Sequence, residues 1–596
     1  MFKTMVLVMG TLVLFSVSLI QAEIELGTIV ITGTRIPQTF SQIIRPVLLI
    51  DEEEIKKSPA NSVPELLDYV LSSDIQERSP YGIQADVTMR GSTFQQVLIL
   101  IDGIRANDSQ TAHHNMDLPI TLNDIKRIEV LPGHGSSVYG PDAFGGVINI
   151  VTKRPEKKEL STQIELAEYN TQFISISYGK KWDKFSQKIS IEKKKSDGFR
   201  YDTDFDNLIC TSNSTWEYSK GEINLILGFM DKAFGAYDFY TPGRNYPSKE
   251  WTKTYFTKIE NSYKIGKIRL QPKIFFRQHN DKFILDITRP SWYVNEHISY
   301  SYGGEIHLNI PLKKKGNLVI GSEIIQDEIT STRLGKHIQS RQAFFSEYYT
   351  SVSSNLNFDA GVRLDNSNWG EEISPTMGIS YWLSSFCKLR TSVGWAFRSP
   401  SFTELYYKDP ANEGNPELNP EEAISYEAGM DFIQMKNFNA SVTLFDREQT
   451  NLIDWVGETE TGPWKAENIG EVRIFGVDSM IKTNLYLFET CFKYSWMGSK
   501  KYKEYISKYA LRYPINQFSL EISRAIIRDI IPAIKLTYKE RLNEKGYFLL
   551  NGRVSKHIQD IELFIEGTNL FDQKYEEIKG IPQPGRWLSA GVNYRL

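Results

Sequence analysis

The chain has 596 residues and a net charge of −4 with histidine neutral, and 12% of its residues are aromatic. So small a negative charge gives no basis for a nucleic-acid partner. The three cysteines, Cys210, Cys387 and Cys491, are too few and too widely spaced for a disulfide framework or a thiolate metal site. Because no Ser/Gly tract, Pro-rich run or long block of one charge interrupts the chain, its composition predicts one large unit.

The N-terminus has the pattern of an export signal. Lys3 precedes an apolar run over residues 5–20, and Ala22 offers a small residue to a signal peptidase. An uncleaved membrane anchor is the alternative, but the run is shorter than the roughly 20 residues that a spanning helix needs. We therefore predict a cleaved signal peptide at residues 1–22.

Alternation of apolar and polar residues recurs from about residue 160 to the C-terminus. The closing segment "RWLSAGVNYRL" places these apolar side chains on one face of a strand: Leu588, Ala590, Val592, Tyr594 and Leu596. The segments "FNASVTLFDRE" and "EIHLNIPL" repeat the arrangement. An exported chain of this kind can span a bilayer only as a closed β-barrel, because an open sheet leaves backbone groups unpaired in lipid. A soluble β-sandwich or propeller is the alternative, but no repeat of blade length is present.

Residues 23 to about 155 show a different pattern. In "NSVPELLDYV", Ser62 and Glu65 have capping-box spacing ahead of an apolar helix face. Two strands then flank a turn at Arg90 and Gly91, and the continuous apolar run 97–101 is typical of a strand covered on both faces. The segment "IKRIEVLPGHGSSVYGPDAFGGVINIVTK" follows as strand, glycine-rich loop and strand. These patterns predict a small α+β domain ahead of the barrel.

The glycine-rich loop has features that an enzyme could use. It lacks the spacings of dinucleotide, P-loop and nucleophile-elbow motifs, and a strand rather than a helix follows it. We therefore predict a structural turn, and an enzyme is a remote alternative.

Several segments resemble the signature segments of TonB-dependent outer-membrane receptors, in order and along essentially the whole chain. They are "VLILIDGIRAN", "IKRIEVLPG", "SSVYGPDAFGGVINIVTKRP", "GWAFRSPSFTELYY", "GNPELNPEEAISYEAG" and "FIEGTNLFDQKYEEIKGIPQPGRWLSAGVNYRL". The resemblance implies a β fold, namely a 22-stranded antiparallel transmembrane β-barrel with an N-terminal α+β plug domain inside the lumen. It implies a periplasmic N-terminal segment at 23–36, a plug at 37–157 and a barrel at 158–596. Such a protein lies as a monomer among the lipids of the outer membrane of a Gram-negative-type bacterium.

One plug loop departs from the family pattern. Arg and Pro usually flank the glycine of "LPGHG", whereas this chain has Pro132 and His134 there. We therefore do not expect this loop to supply the cation that often pairs with a barrel carboxylate in the family.

The segment "GTIVITG" resembles the TonB box, which an energy-transducing TonB-type protein captures in the periplasm. Its residues are Thr28, Ile29, Val30, Ile31 and Thr32. We expect a strand without a partner in its own chain, because a β-branched segment between glycines can add to the edge of another protein's sheet. An ordinary first strand of the plug sheet is the alternative. A passive porin or adhesin, the competing function, would not need such a segment.

The resemblance implies an active importer of a scarce, bulky ligand. The plug and C-terminal segments are most similar to those of receptors for cobalamin, and a ferric siderophore is the alternative. Ligand contacts are expected in the plug loops 77–86 and 106–117 and in the barrel loop "AYDFYTPG". The candidates are Tyr81, Gln84, Asn107, Gln110, His113, His114, Asn115, Tyr237 and Tyr240. Amide and aromatic groups suit a neutral corrinoid, whereas an anionic ferric chelate needs a basic pocket.

The adjacent histidines 113 and 114 also raise a haem or metal alternative, because imidazole ligates iron. Haem receptors of this family carry a histidine between motifs like "FRSP" and "NPEL". This chain has no histidine between Phe397 and Leu418.

A group of aspartates suggests calcium. The residues are Asp197, Asp202, Asp204, Asp206 and Asp238. Clustered carboxylates are the hard oxygen ligands that calcium selects, and calcium-ordered aspartate loops are known in the cobalamin receptors that the chain resembles. The spacing lacks the glycine and the terminal glutamate of an EF-hand, so a solvated acidic turn is an equal alternative. No other cofactor is expected.

Overall fold

The computed structural model describes residues 29–30, 33–35, 38–39, 42–313, 316–435, 437–459, 462–501, 506–524, 529–542 and 544–596. The predicted signal peptide lies outside these residues, as do Thr28, Ile31 and Thr32 of the predicted TonB box. The remaining two box residues form β1 (Ile29–Val30), which pairs antiparallel with β2 (Gln38–Thr39). The expectation of a strand without a partner in its own chain was therefore wrong for these two residues. The pairing is short, because it joins Ile29 only to Thr39 and Val30 only to Gln38.

The plug contains a five-stranded sheet and a separate hairpin. Its strands are β3 (Leu48–Asp51), β4 (Ser73–Ser79), β5 (Gln84–Met89), β6 (Val97–Ile101), β7 (Ile104–Arg105), β8 (Ile125–Pro132) and β9 (Gly146–Thr152). Its helices are α1 (Glu52–Lys57), α2 (Val63–Leu67) and α3 (Ser136–Tyr139), with 3-10 turns at Phe94–Gln96, Ala112–His114 and Leu122–Asp124. The sheet has the order β3-β8-β9-β6-β7, and β4 pairs with β5. Within the sheet, β6 and β9 run parallel and the other neighbouring pairs run antiparallel.

Local sequence explains these elements. Ser62 caps α2 by accepting from the Glu65 amide. The reciprocal bond of a capping box is shifted, because the Glu65 carboxylate accepts from the Asn61 and Tyr81 amides instead. Every residue of β6 is buried, which confirms the prediction of a strand covered on both faces. Arg90 and Gly91 have positive φ, as the tight turn after β5 requires.

The barrel is a single closed antiparallel sheet of 22 strands. Its strands are β10 (Glu159–Ala167), β11 (Thr171–Trp182), β12 (Phe185–Ser196), β13 (Phe205–Tyr218), β14 (Gly221–Gly235), β15 (Lys249–Ile265), β16 (Ile268–Ile284), β17 (Val294–Pro311), β18 (Asn317–Ser331), β19 (Gly335–Ser351), β20 (Leu356–Ser367), β21 (Gly370–Trp382), β22 (Cys387–Arg398), β24 (Glu421–Met435), β25 (Phe438–Thr450), β28 (Val472–Leu485), β29 (Phe488–Lys501), β31 (Pro514–Arg524), β32 (Ile530–Arg541), β33 (Tyr547–Ile558), β34 (Ile561–Thr568) and β37 (Trp587–Arg595). The ring closes where β10 pairs with β37.

The barrel strands have one apolar outer face and one polar inner face, as the alternation predicted. In β37, Leu588 and Val592 are exposed on the outside while Ser589 and Asn593 are buried. The same alternation runs through β11, whose burial changes at every residue from 171 to 178. Outward apolar side chains suit lipid, and the inner face contacts the plug.

Longer loops gather at the end of the barrel opposite Glu159 and Arg595. They carry α4 (Phe402–Tyr406) and the short strands β23 (Asn412–Glu413), β26 (Ile453–Gly457), β27 (Trp464–Asn468), β30 (Ile506–Ser507), β35 (Glu576–Ile578) and β36 (Ile581–Pro582). Four of these strands form a small sheet in the order β23-β27-β26-β30. Within the described ranges, no helix combines the length and the apolar character needed to cross a bilayer.

Candidate functional site

The plug is joined to the barrel wall at many places around the ring. Side chains on six barrel strands form hydrogen bonds with the plug. Five of them donate: Lys194 to the Asn61 carbonyl, Lys232 to the Ile83 carbonyl, Arg277 to Asp108, Lys388 to the Ile43 carbonyl, and Lys535 to Asp68. The sixth, Asp478, accepts from Arg90. Because these contacts spread around the wall, the plug is fixed inside the lumen.

Arg90 forms ion pairs with two buried carboxylates of the wall. Its guanidinium group lies 2.7 Å from a Glu427 carboxylate oxygen and 2.9 Å from an Asp478 carboxylate oxygen. All three side chains are at most 5% exposed. Within the part of the chain that the structure describes, the loop with Pro132 and His134 makes no such pair. Burial, with help from the nearby Arg45 and Arg90, lowers the pKa of His134 to about 4, so that its ring is neutral.

A second group of ion pairs joins α2 and β4 to the C-terminal strands. Asp68 lies 2.7 Å from the Lys535 ammonium and 3.0 Å from that of Lys539. Asp74 lies 2.8 Å from the Arg541 guanidinium group. Burial alone would raise the pKa of Asp68, but the two lysines hold it well below its usual range. Asp68, Lys535 and Lys539 line a cavity of about 130 Å³ between the plug and the wall.

The structure places four of the predicted ligand contacts inside the plug framework. The Asn107 side chain accepts from the Ile99 amide and donates to the Val97 carbonyl, along one edge of β6. Asn115 accepts from the Asp108 amide at 2.9 Å. The remaining two are Gln84, which accepts from Arg78 and donates to the His113 carbonyl, and Gln110, which donates to Asp281. All four are buried, so their amides already serve the fold.

His113 and Tyr240 do lie together at the loop end of the barrel. The His113 ring stacks on Phe94 with centroids 4.5 Å apart, and it lies 6.0 Å from Tyr240 and 5.8 Å from Tyr509. We call His113, Tyr240 and Tyr509 the aromatic rim. Each is only partly buried, so the rim offers ring surface to a ligand.

A buried ion pair supports the aromatic rim from below. Asp86 accepts from Arg78 at 2.8 Å and from His113 Nδ1 at 2.8 Å. Burial alone would raise the pKa of Asp86, but Arg78 and His113 lower it to about 2. The carboxylate is therefore ionised and holds the His113 ring in place.

The other predicted aromatic contacts lie apart from the rim. Tyr81 is buried in a cluster with Phe205 and Trp587, each 5.7 Å away between ring centroids. Tyr237 donates from its hydroxyl to Asn245 within its own loop. His114 is buried beneath the plug loop, and its ring faces barrel carboxylates rather than the loop end of the lumen.

The predicted calcium ligands are only partly brought together. Asp202, Asp204 and Asp238 lie in adjacent loops, since the Tyr237 amide donates to the Asp202 carbonyl. Asp204 forms an ion pair with Lys249 at 3.0 Å, and Asp206 pairs with Lys193 on the neighbouring strand. The fifth residue, Asp197, is exposed and accepts from Asn170. Among the described residues, the groups of three with metal-ligand spacing include none of these aspartates.

Comparisons with known proteins identify the family. The family model "TonB dependent receptor-like, beta-barrel" matches residues 159–594, and "TonB-dependent Receptor Plug Domain" matches residues 40–147. The chain belongs to the TonB-dependent receptors. It is accordingly a protein of the outer membrane, where receptors of this family lie.

Full-length relatives and solved structures resemble this receptor. The vitamin B12 transporter BtuB of Photobacterium profundum is 24% identical over 578 residues, which cover 92% of each chain. The protein of the same name from Vibrio cholerae is 24% identical over 96% of this chain and 95% of its own. Among solved structures, the siderophore receptor PirA from Acinetobacter baumannii has a TM-score of 0.77 at 16% identity, covering 92% of this chain and 98% of its own. The FrpB iron transporter from Neisseria meningitidis has a TM-score of 0.78 at 13% identity, covering 92% and 99%. At such identities the structural likeness shows the fold alone.

Sequence reasoning missed part of the receptor's aromatic rim and most of its plug contacts. Tyr509 lies almost 400 residues after His113 in the chain, and no spacing pattern links the two. Phe94 follows the Arg90–Gly91 turn, and the sequence pattern there predicts two strands but gives no indication of a role for this ring. The ion pairs of Arg90 could have been predicted in part, because a buried cation at a plug turn needs a carboxylate partner.

We predict that Arg90→Met weakens the anchoring of the plug. The change leaves Glu427 and Asp478 buried without their cation, which should cost about 3–5 kcal/mol of unfolding free energy. Urea unfolding of the purified receptor measures this change. Arg154→Met is the matched control, because Arg154 pairs with Glu222 at the surface, where both side chains are 37% exposed. That change should cost less than about 1 kcal/mol. Equal effects of the two substitutions would contradict the assigned role of Arg90.

Proposed function

We propose that this receptor imports cobalamin actively across the outer membrane, with energy from a TonB-type protein in the periplasm. The observation that carries the proposal is the end-to-end similarity to proteins named vitamin B12 transporters, which covers 92% of both chains in one case. A ferric siderophore is the competing ligand. The siderophore receptors among the solved structures are similar in fold, at 16–17% identity, and so do not favour either ligand.

The charges near the aromatic rim support a neutral ligand. Arg78 lies in the first predicted ligand loop of the plug, and Arg105 directly precedes the second. Arg78 is paired with Asp86 at 2.8 Å, and Arg105 with Asp142 at 2.5 Å. Because both charges are already compensated, the plug offers no unpaired arginine in these loops to an anionic ferric chelate. The ring surface of the aromatic rim remains, and this suits a corrinoid.

The plug fills the lumen, so transport needs the plug to be displaced or remodelled. Arg35, just after the predicted TonB box, is buried in the wall, where its amide donates to Glu347 and its guanidinium group pairs with Glu305. The same guanidinium group donates to the Val138 carbonyl of α3. A pulling force on residues 28–32 would therefore act on the contacts of Arg35 before it acts on the plug sheet.

The ligand proposal predicts saturable binding of cyanocobalamin by the purified receptor. Tyr240→Ala should weaken this binding at least about tenfold, because it removes ring surface from the aromatic rim. Tyr263→Ala, at the opposite end of β15, should leave the affinity unchanged. Ferric catecholates and ferric hydroxamates are measured in parallel by the same titration. Tight siderophore binding without cobalamin binding would overturn the choice of ligand and leave the importer role standing.

The energy-coupling proposal predicts that Val30→Pro abolishes uptake and spares binding. Proline removes a backbone donor from the segment that a partner sheet would pair with, while the barrel is distant. Val30→Ile is the control, since strand addition through the main chain tolerates another β-branched residue. Uptake and surface binding of labelled cobalamin are measured in the same cells. Uptake by the proline variant at the unmutated rate would refute the TonB-box assignment.

We also propose that calcium orders the two loops that carry Asp202, Asp204 and Asp238. Burial, and then the nearby Asp204 carboxylate, raises the pKa of Asp202 to about 6. One Asp202 oxygen has no hydrogen-bond partner among the described residues. A bound cation would relieve the repulsion between Asp202 and Asp204 and replace the Lys249 contact.

Calcium should therefore increase the affinity for cobalamin, and a chelator should lower it. Asp204→Ala should remove the dependence on calcium, whereas Asp197→Ala, at the exposed end of the loop, should retain it. Isothermal titration with cyanocobalamin in calcium or chelator distinguishes these outcomes. Equal affinities under both conditions would leave a solvated acidic turn as the correct description.

A further inference from the structure

A buried group of histidine and carboxylate side chains lies between the plug and the barrel wall. His114 and Asp117 belong to the plug, at and just after the 3-10 turn Ala112–His114, and His279 lies on β16. Their side chains are 5%, 4% and 0% exposed. The group thus combines ligand-type atoms from both domains, and the proposed import of cobalamin makes no use of it.

The spacing of these atoms suits a shared ion. His114 Nδ1 lies 3.6 Å from Asp117 Oδ2, and His279 Nε2 lies 3.9 Å from the same oxygen. One ligand atom from each of the three residues lies within 4.8 Å of the other two. These separations are too long for good hydrogen bonds. They are close to the roughly 3.3 Å between neighbouring ligands that lie about 2.0–2.1 Å from a tetrahedral ion.

Two of the three atoms have no other partner. Neither Asp117 Oδ2 nor His279 Nε2 forms a hydrogen bond among the described residues, although both are buried. Buried polar atoms are nearly always hydrogen-bonded, because leaving one unpaired costs its full desolvation. Asp117 Oδ2 and His279 Nε2 are 3.9 Å apart, and their lack of hydrogen bonds therefore favours a ligand that binds both atoms.

Surrounding groups orient two of the three side chains, His279 and Asp117. The Nδ1 atom of His279 forms a hydrogen bond with the Thr254 hydroxyl at 2.9 Å, which leaves Nε2 directed at Asp117. The second carboxylate oxygen of Asp117 is paired with Lys232. Outer contacts of this kind orient the ligands in metal sites of proteins.

The charges around the group leave an excess of carboxylates. The buried charged side chains are Asp108, Asp117, Glu250 and Asp281 as acids, and Lys232 and Arg277 as bases. Carboxyl groups thus outnumber the ammonium and guanidinium groups around the site by four to two, and a divalent cation would add positive charge there.

We propose that His114 Nδ1, Asp117 Oδ2 and His279 Nε2 bind a divalent first-row transition-metal ion such as Zn²⁺. Two imidazoles and one carboxylate form a set that zinc and its neighbours accept, whereas calcium prefers oxygen ligands alone. The ion would tie the plug loop to β16.

A second group, His114 Nε2 with Glu250 and Asp281, has similar spacing. It is the weaker choice, because its carboxylates already accept hydrogen bonds from Tyr240 and Gln110. A neutral His114 ring also offers only one nitrogen to a metal at a time.

The test uses the full-length receptor, purified in detergent without a histidine tag and stripped with a chelator. Co²⁺ should bind with one ion per chain, give the visible absorption bands of a site with imidazole ligands, and be displaced by Zn²⁺. His279→Gln and Asp117→Asn should each lower the affinity for Zn²⁺ at least about tenfold. His307→Gln is the matched control, since His307 is a buried histidine on the next strand that binds Glu305 and Gln271. The affinity of the His307→Gln variant for Zn²⁺ should match that of the unmutated receptor.

Heat-dependent mobility in gels confirms that each variant retains a folded barrel, and cobalamin is absent from the assay. An unmutated receptor that binds no Co²⁺ or Zn²⁺ would overturn the proposal, as would unchanged affinity in both His279→Gln and Asp117→Asn. Loss of binding in Asp281→Asn with Asp117→Asn unaffected would overturn this ligand set in favour of the second group. Because no step involves cobalamin, a failure of the ligand proposal would not be mistaken for a failure of this one.

Discussion

Every backbone amide and carbonyl that faces lipid must find its partner within the protein, because hydrocarbon offers none. The pairing of β10 with β37, from Ser161 opposite Arg595 to Ala167 opposite Ser589, meets this requirement by closing the ring. A ring of 22 strands encloses a lumen too wide for its own side chains to fill. The plug fills the lumen that the barrel's own side chains leave open. The inner face of each strand must therefore satisfy polar groups on both domains.

Ion pairs satisfy many of the polar groups between the plug and the wall. Buried pairs such as Arg90 with Glu427 add little net stability over apolar packing, but they strongly penalise any position of the plug that separates the partners. They thus fix where the plug sits. Water that enters between plug and wall would lower this penalty, which makes charged contacts more readily exchanged than an apolar core during transport.

Local patterns predicted the elements well, and contacts between distant residues poorly. Alternation identified the outer face of β37, and the continuous apolar run identified β6 as a covered strand. The polarity of the residues in loop 106–117 does not reveal whether a side chain's partner is a ligand, solvent or the plug itself. Asn107 illustrates this, since its amide completes the edge of β6. His114 and His279, 165 positions apart in the chain, meet only through the fold.

Strand β5 connects the aromatic rim to the ion pairs of Arg90 with the wall. Asp86, near its start, holds His113 of the rim, and Arg90 follows its last residue directly. The two residues are four positions apart, or about 13 Å along an extended strand. A ligand that moves the His113 ring would pull on Asp86, and through one stiff strand on the guanidinium group that lies between Glu427 and Asp478. The contact of Asp86 with His113 and the contacts of Arg90 with the wall thus lie on one strand, so that a displacement at either end would reach the other through backbone rather than through a chain of side chains.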